Sequence, residues 1–286
     1  MATILQELLQ SLEGHFAGRS APSVLAIHPP PGGSDEGTSP FTLVVLDTEP
    51  KAAGLSYNLL EDPEGRARYD ALDLAALVSR GDALQLAREV LDDDPATRVV
   101  GYAACHALSQ LVLRERGAQR VPSDRPPWRE SEEDLVQLLR LHAADHVGLV
   151  GVALRIVRSL DAAGAGPVTV LERPTRAAEI ARAGGATLTT APGDLARCNK
   201  VLITSTNLHN GTFDDLEQQS RGAEHRAVYG PGAGVLPDVF FARGIDAVAG
   251  LVVTDAETLV RRQLGGKKWG DAKRKLVLTR AESARA

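Results

Sequence analysis

The sequence predicts an α/β protein in two parts, of which the second is a mainly parallel sheet with helices on both faces. After about residue 145, short apolar runs alternate with helical or polar segments, the pattern of strands buried on both faces. Successive runs are about 20 to 35 residues apart, which leaves room for one right-handed crossover helix each. A length of 286 residues suits two modest domains better than one.

The composition is that of an ordinary globular protein with an aliphatic core, since 43% of residues are hydrophobic and only 4% are aromatic. A net charge of −5 and the lack of a basic stripe argue against nucleic-acid binding. The N-terminal residues do not resemble a signal peptide, and no apolar stretch approaches the roughly 20 residues that span a bilayer. We therefore expect a cytoplasmic protein with no membrane partner.

The first part, residues 1–130, is predicted to be a smaller α+β domain. Its apolar spacing indicates a helix over residues 3–17, and two runs indicate short strands. A Pro- and Gly-rich loop, residues 28–37, separates the strands. The predicted strands are 24–27 and 41–46, and the later predicted helices are 71–79, 81–91 and 98–110.

Residues 119–131 are the predicted linker, because three prolines and many charges can continue neither a helix nor a central strand. A helix is expected to restart over residues 132–142, with Ser131 as a candidate N-cap. The second domain, residues 140–286, is predicted to be Rossmann-like. Its predicted strands are 146–150, 168–171, 201–204, 226–229 and 247–253.

Ligands of open parallel sheets bind beyond the carboxyl ends of the strands, so the residues that follow each strand are the candidate site. Most of them are small or polar, which suits hydrogen bonding and close backbone approach. The candidate ligand-binding residues are Gly148, Gly151, Glu172, Thr204, Ser205, Thr206, Asn210, Thr212, Gly230, Pro231 and Gly232.

Glu172 is the most informative of these residues. An acid at the end of the second strand of a Rossmann unit commonly accepts hydrogen bonds from the ribose hydroxyls of an adenosine group. The alternative is a surface carboxylate that pairs with Arg173. The first turn carries only Gly148 and Gly151 of a dinucleotide fingerprint, so S-adenosylmethionine is favoured over NAD. The alternative for Gly151 is that it only lets the helix pack on the sheet.

The reacting end of the ligand is expected at the ends of the third and fourth of these strands. His209 and Tyr229 are the candidate general bases at the rim of the crevice, and Asn207 is a candidate acceptor for an ammonium group. Thr212 is a candidate cap of a helix over residues 213–219. The glycine-rich loop 230–234 lets a ligand approach the backbone, or is a tight turn without a ligand.

The first domain is expected to close this site through the regions of Tyr57 and His106. No motif with metal-ligand spacing is present, so no firm metal site is predicted. No nucleophile elbow is present either, which leaves hydrolysis without support. The two cysteines, Cys105 and Cys198, are far apart, and a disulfide is not expected.

Several strings of this sequence resemble a known family: GYAACHALSQ, GLVGVA, VTVLER, VLITSTNLHNGTFDDL and VYGPGAGVLPDVFFARGIDAVAGLVVTD. The family is DUF364, "putative heavy-metal chelation", and the resemblance is strongest over residues 146–265. It implies a Rossmann-like domain that follows an enolase-N-terminal-like domain, DUF4213. His106 is a departure, since the family often has Asn at that position.

Three functions remain open from the sequence. The favoured one is an enzyme of small-molecule metabolism, in metallophore or natural-product synthesis, that binds S-adenosylmethionine as substrate or cofactor. It would act as a transferase or as a lyase or cyclase on the aminobutyrate or methyl group. The alternatives are a non-enzymatic protein that binds a heavy metal or a metal chelate, and a structural partner in a biosynthetic complex. The expected partner is a small-molecule ligand, and the sequence allows a homodimer.

Overall fold

A computed structural model describes residues 2–31, 40–58, 63–79, 81–116 and 132–280. Its helices are α1 (Ile4–Phe16), α2 (Pro63–Asp70), α3 (Leu74–Ser79), α4 (Ala83–Arg88), α5 (Pro95–Glu115), α6 (Glu132–Leu138), α7 (Leu154–Ala162), α8 (Ala177–Ala183), α9 (Thr206–His209), α10 (Phe213–Gln219), α11 (Asp238–Ala242) and α12 (Ala256–Leu264). Its strands are β1 (Val24–His28), β2 (Phe41–Leu46), β3 (Ala52–Tyr57), β4 (Val147–Val150), β5 (Val168–Leu171), β6 (Ala186–Thr189), β7 (Lys200–Thr204), β8 (His225–Tyr229), β9 (Ala247–Val253) and β10 (Lys273–Thr279).

The first part of the chain is an antiparallel sheet, in the order β1-β2-β3, with α5 packed against it. A close approach of β3 to α5 is possible only because residue 54 is glycine. A Cβ atom at Gly54 would lie 2.1 Å from the backbone nitrogen of Ala107 and 2.2 Å from the carbonyl oxygen of Ala103. The Asp94 side chain caps the start of α5, and Pro95 occupies its first turn, where no N–H is needed.

The second part is a sheet of seven strands in the order β10-β9-β8-β7-β4-β5-β6. All neighbouring strands are parallel except β9 and β10. With β4 counted as the first strand, the parallel strands follow the order 3-2-1-4-5-6 of doubly wound Rossmann folds. The prediction that strands 146–150 and 201–204 share one sheet is confirmed, since β4 pairs with β7.

Some elements differ from the prediction. No secondary structure was predicted for residues 53–58, but most of them belong to β3. The edge strands β6 and β10 were not predicted, because β6 has no buried residue and β10 begins with the charged run Lys273-Arg274-Lys275. The predicted helix 81–91 ends as an α-helix at Arg88 and continues as a 3₁₀ turn. The predicted linker 119–131 and cap Ser131 lie outside the described residues.

The two parts of the chain share one apolar core. Buried residues of α1 and α5 belong to the same cluster as buried residues of β7, β8 and α11. A part-buried polar contact joins the same parts, where the Arg243 guanidinium binds the carboxylates of Glu7 and Asp214 at 2.9 Å and 2.5 Å. Among the described helices, none is long and apolar enough to cross a membrane.

Candidate functional site

The carboxyl ends of β4, β5, β7 and β8 meet at one edge of the sheet. The order of the strands reverses between β4 and β7, which is where open α/β sheets bind their ligands. The turn after β4 is tight, because Gly151 has a positive φ of 84° and a Cβ there would lie 2.7 Å from Cγ2 of Thr204. The backbone N–H of Ser205 donates to the Tyr229 carbonyl at 2.6 Å and so joins the ends of β7 and β8.

Glu172 stands at the end of β5 and faces the first turn. Its Oε2 accepts a hydrogen bond from the backbone N–H of Val152 at 3.1 Å, and its Oε1 accepts one from the N–H of Arg173 at 2.8 Å. The Arg173 guanidinium lies 3.8 Å from Oε1, and the Glu172 side chain is 14% exposed. The carboxylate is therefore held at the crevice by backbone donors and remains reachable from solvent.

Gly148 does not belong to this turn. It lies inside β4, where a Cβ would meet the side chains of Leu195 and Cys198 at 3.0 to 3.2 Å. Its lack of a side chain therefore serves packing, and the G-x-x-G pattern in the sequence does not describe two turn glycines.

The segment after β7 folds into the short helix α9 and a polar turn. Asn207 donates from Nδ2 to Oγ1 of Thr212 at 2.7 Å, and Oδ1 of Asn210 accepts from both the N–H and the hydroxyl of Thr212. Gly211 has a positive φ of 82°, as expected for this turn. Thr212 is the N-cap residue of α10, as predicted, but its side chain makes no capping hydrogen bond, because its hydroxyl is engaged by Asn207 and Asn210 instead.

Glycines of the loop 230–234 make room for protein side chains. A Cβ at Gly230 would lie 2.7 Å from Oγ of Ser205, and one at Gly234 would lie 2.9 Å from Nε2 of His106. At Gly232, the nearest atoms belong to Ser205 and Tyr102 at 3.3 Å. The backbone of strand β9 also approaches this loop, since a Cβ at Gly234 would lie 2.2 Å from the carbonyl oxygen of Leu251.

The two candidate general bases are not at the rim. His209 is 3% exposed, and burial lowers its pKa to about 4 even though the nearby backbone of Tyr57 acts in the opposite direction. Tyr229 is 8% exposed, and its hydroxyl donates to the carbonyls of Val150 and Gly151 at 3.0 and 3.2 Å. The expectation of exposed bases is therefore corrected: His209 packs against Tyr102 of α5, and Tyr229 is buried in the apolar cluster that includes residues of α6 and α7.

Helix α5 contributes two functional candidates that the sequence did not single out, Tyr102 and Gln110. Tyr102 donates to the carbonyl of Gly232 at 2.7 Å, and Gln110 donates to that of Gly234 at 2.6 Å. His106 lies between them in the sequence, so the three follow the i, i+4, i+8 positions of one helix face. The Tyr102 ring also contacts the His209 ring, with centroids 5.4 Å apart. Polar residues at this spacing in a helix of small residues were the available signal.

Many polar side-chain atoms around this face have no hydrogen-bond partner in the described part of the chain. Burial lowers the pKa of His106 to about 4, so its imidazole is neutral at pH 7. Native proteins leave few such atoms unsatisfied, and each costs about 1–3 kcal/mol. The atoms are Ser56 Oγ, Asn58 Nδ2, both ring nitrogens of His106 and His209, Ser109 Oγ, Gln110 Oε1 and Asn207 Oδ1.

No group of three or more His, Cys, Asp or Glu side chains that could hold a metal ion exists among the described residues. His209 packs on Tyr102, whereas His106 lies one turn further along α5 near Gly234. The two thiols are buried, and burial raises the pKa of Cys198 to about 11. The residues present therefore do not form a closed site for a bare metal ion.

The order of the strands defines a Rossmann-like fold. The family model of DUF364, described as "putative heavy-metal chelation", matches residues 134–282, which is more than half of the chain. The chain belongs to this family. No curated protein matches it significantly.

Two solved structures of DUF364 proteins, both titled as having unknown function, share the fold. One is from Pyrococcus horikoshii, with 16% identity and a TM-score of 0.70 over 97% of this chain and 100% of that chain. The other is from Desulfitobacterium hafniense, with 18% identity and a TM-score of 0.67 over 96% and 98% of the two chains. At these identities the likeness concerns the fold alone.

Proposed function

We propose that this chain is an enzyme that binds an adenosyl ligand, S-adenosylmethionine, at the carboxyl ends of β4, β5 and β7. The observation that carries the proposal is the position of the Glu172 carboxylate, at the end of the second strand and bonded to the first turn. An acid in this position accepts hydrogen bonds from both hydroxyls of a ribose. Gly151 and Thr204 lie beside the space into which the adenosine would extend.

The first turn favours a ligand without a pyrophosphate. A pyrophosphate needs several free backbone amides at close range, usually on a glycine-rich turn. Here the N–H of Val152 is taken by Glu172, and Gly148 lies inside the strand rather than in the turn. A nucleoside that is linked to an amino acid makes fewer demands on these amides, which supports S-adenosylmethionine over NAD.

The reacting end of the ligand would extend from β4 towards the ends of β7 and β8. That region presents the unpartnered atoms of Asn207 and His209, together with those of His106 on α5. A neutral imidazole can accept a proton, and amide oxygens can accept hydrogen bonds from an ammonium group. We assign His209 as the first candidate base and Asn207 as a positioning residue. Tyr229 is the second candidate base, although its hydroxyl is bound to two carbonyls.

Calorimetry of the purified protein with S-adenosylmethionine and, separately, with NAD tests the proposal. We expect one molecule of S-adenosylmethionine per chain and at least about tenfold weaker binding of NAD. Mass spectrometry of small molecules released from the protein distinguishes the chemistry: methylthioadenosine indicates loss of the aminobutyrate group, and S-adenosylhomocysteine indicates methyl transfer. Saturable binding of NAD without binding of S-adenosylmethionine would reject it.

In an assay of that reaction, Asn207→Ala and His209→Ala should each lower turnover more than they lower stability. Gln218→Ala, a substitution at an exposed residue of the neighbouring helix α10, serves as the control. Full activity of both variants would show that the reacting end was assigned to the wrong residues.

A second candidate function is binding of a metal chelate, which the neutral imidazoles of His106 and His209 support. Imidazole is a good ligand for first-row transition metals, and these ring nitrogens have no partner. Because the described residues form no group of three such ligands, the metal would have to bring its own chelator. Elemental analysis after incubation with free Zn²⁺ and with a Ni²⁺–histidine complex tests this function. Nickel that the wild type retains and that His106→Ala and His209→Ala do not retain would support it. A wild type that retains no nickel would reject it.

We also propose the domain division 1–130 and 140–286, with the first domain of the enolase-N-terminal-like DUF4213 type. The antiparallel sheet of β1 to β3 followed by helices supports this type. The proposed partner is a small-molecule ligand rather than a nucleic acid or a membrane, in a cytoplasmic protein. Analytical ultracentrifugation tests whether the chain is also a homodimer.

A further inference from the structure

A cavity of about 110 Å³ opens on the face of the large sheet that α6 and α7 cover. Its floor is formed by β8, β9 and β10, and each of the two helices contributes one apolar wall, Leu135 and Ile156. The loop residues Gly230 and Pro231 form its edge at the carboxyl end of β8. The functions considered above involve its edge residues Tyr229, Gly230 and Pro231 but assign no ligand to the hollow itself.

Small residues of β9 create the hollow. Ala249 pairs with Tyr229 on one side and with Val277 on the other, so these three side chains point to the same face of the sheet. Tyr229 is large and Ala249 is small, which leaves space above the alanine beside the phenol ring. The lining is mainly apolar, as is usual for small-molecule sites.

One cationic group lines the cavity. Lys275 lies two residues from Val277 on β10 and therefore on the same face. Within the described part of the chain it forms no ion pair with a carboxylate. A half-buried ammonium group next to an apolar hollow suits a molecule with an apolar body and a negative charge.

The size of the hollow limits that body to one ring or a short branched chain. A closed apolar cavity of roughly 150 Å³ holds a benzene molecule. A cavity of about 110 Å³ that is open on one side can therefore take a single ring with its substituent directed outwards.

The cavity adjoins the crevice. The hydroxyl of Tyr229, one of its lining residues, bonds to the carbonyls of Val150 and Gly151 in the first turn. Glu172 stands three strand spacings from β8, or about 14 Å. A ligand held by its ribose at Glu172 and a second molecule in the cavity would thus lie on opposite sides of the strand-order reversal.

We propose that this cavity is the subsite for a co-substrate that is a small aromatic or branched aliphatic carboxylate, with Lys275 pairing with its anionic group. Its role as a co-substrate site rests on the proposed function, whereas its binding of such an anion does not. Ala249 sets the size of the group that is accepted, and Lys275 sets its charge.

Titrations followed by ¹⁹F NMR, with 4-fluorobenzoate and its neutral counterpart 4-fluorobenzyl alcohol, test the subsite. We expect saturable binding of 4-fluorobenzoate, and at least about tenfold weaker binding to Ala249→Leu, which fills the hollow. The same substitution at the exposed Ala163 serves as the control and should change nothing. Lys275→Met should weaken binding of the benzoate about threefold or more and leave that of the alcohol unchanged, whereas Lys267→Met at an exposed site should affect neither.

A lack of saturable binding, or equal affinities of Ala249→Leu and Ala163→Leu, would overturn the proposal. Thermal unfolding of each variant shows whether Ala249→Leu is still folded. If it is not, the comparison of Lys275→Met with Lys267→Met decides the question. Equal affinities of these two variants for 4-fluorobenzoate would then count against the subsite. Calorimetry with S-adenosylmethionine separates the two proposals. If the wild type does not bind S-adenosylmethionine, the proposed function is rejected. If that protein still binds 4-fluorobenzoate, the cavity remains an anion site.

Discussion

The carboxylate of Glu172 accepts a hydrogen bond from the backbone N–H of Val152 at 3.1 Å. This contact connects the end of β5 with the turn after β4, across two neighbouring strands of the sheet. It has two consequences: the turn has one amide fewer to offer to a phosphate, and the acid that would bind a ribose is already held in position.

Glu172→Ala should weaken binding of S-adenosylmethionine by at least about tenfold, because a hydrogen bond to a charged group contributes about 1.5–3 kcal/mol. Glu172→Gln keeps an acceptor for Val152 but loses the charge, so its affinity should lie between those of the wild type and the alanine variant. Calorimetry measures all three. Glu179→Ala on α8 is the control. If Glu172→Ala binds S-adenosylmethionine as tightly as this control does, Glu172 has no role in binding.

The contact between β3 and α5 should be intolerant of any side chain at position 54. In Gly54→Ala, the new Cβ would lie 2.1 Å from a backbone nitrogen of α5, so the helix must move and the free energy of unfolding should fall by at least about 3 kcal/mol. In Gly14→Ala, the new Cβ would have no other atom within 4 Å. Residue 14 lies in α1, where alanine is more favourable than glycine by up to about 1 kcal/mol. Urea unfolding should therefore show a lower free energy of unfolding for Gly54→Ala and a higher one for Gly14→Ala. Equal changes in the two variants would contradict the close packing of β3 on α5.

The buried imidazoles should make the protein less stable in mild acid. The pKa values of His106 and His209 are about 4 in the folded protein and about 6.5 in the unfolded chain, so the unfolded chain binds more protons between pH 6.5 and 4. Stability should thus be constant above pH 7 and fall as the pH drops through this window. Each imidazole should account for about 2 kcal/mol of loss between pH 7 and 5.

Urea unfolding at several pH values between 7 and 5 measures this dependence. His106→Gln and His209→Gln should each reduce the slope of stability against pH, whatever they do to absolute stability. His142→Gln, at an exposed position, is the control and should keep the slope of the wild type. Slopes unchanged in both buried variants would show that these imidazoles are hydrated in the folded protein.

The ionic contact between α1 and the second part of the chain should be worth several kcal/mol. The Arg243 side chain is 13% exposed and faces Glu7, Asp214 and the buried Glu217. Removing one partner of such a group leaves charges unpaired, so Arg243→Met should lower the free energy of unfolding by about 3 kcal/mol. Arg274→Met, at an exposed position, should change it by less than about 0.5 kcal/mol. Similar values for both variants in urea unfolding would contradict this role.

Strands buried on both faces were predictable because their signal is local. The run Phe41–Leu46 and the runs that form β4, β5, β7, β8 and β9 are mainly apolar, and the structure has strands at each of them. Edge strands lack that signal: β10 is recognisable only through its pairing with β9, which depends on residues about 26 positions apart. The position of Glu172 at a strand end was also predictable, since it follows from chain order alone.

The sequence by itself thus determined the class of fold, the parallel strands and the segments that surround the crevice, because apolar periodicity and turn residues act over short distances. Only the tertiary structure decided which of these residues are accessible. His209 and Tyr229 belong to strand ends, but His209 is buried against Tyr102 of α5, and Tyr229 is buried among residues of α6 and α7. Gly232 and Gly234 accommodate Tyr102 and His106 rather than open space. Burial and side-chain contacts arise between segments more than 100 residues apart, and no local pattern encodes them.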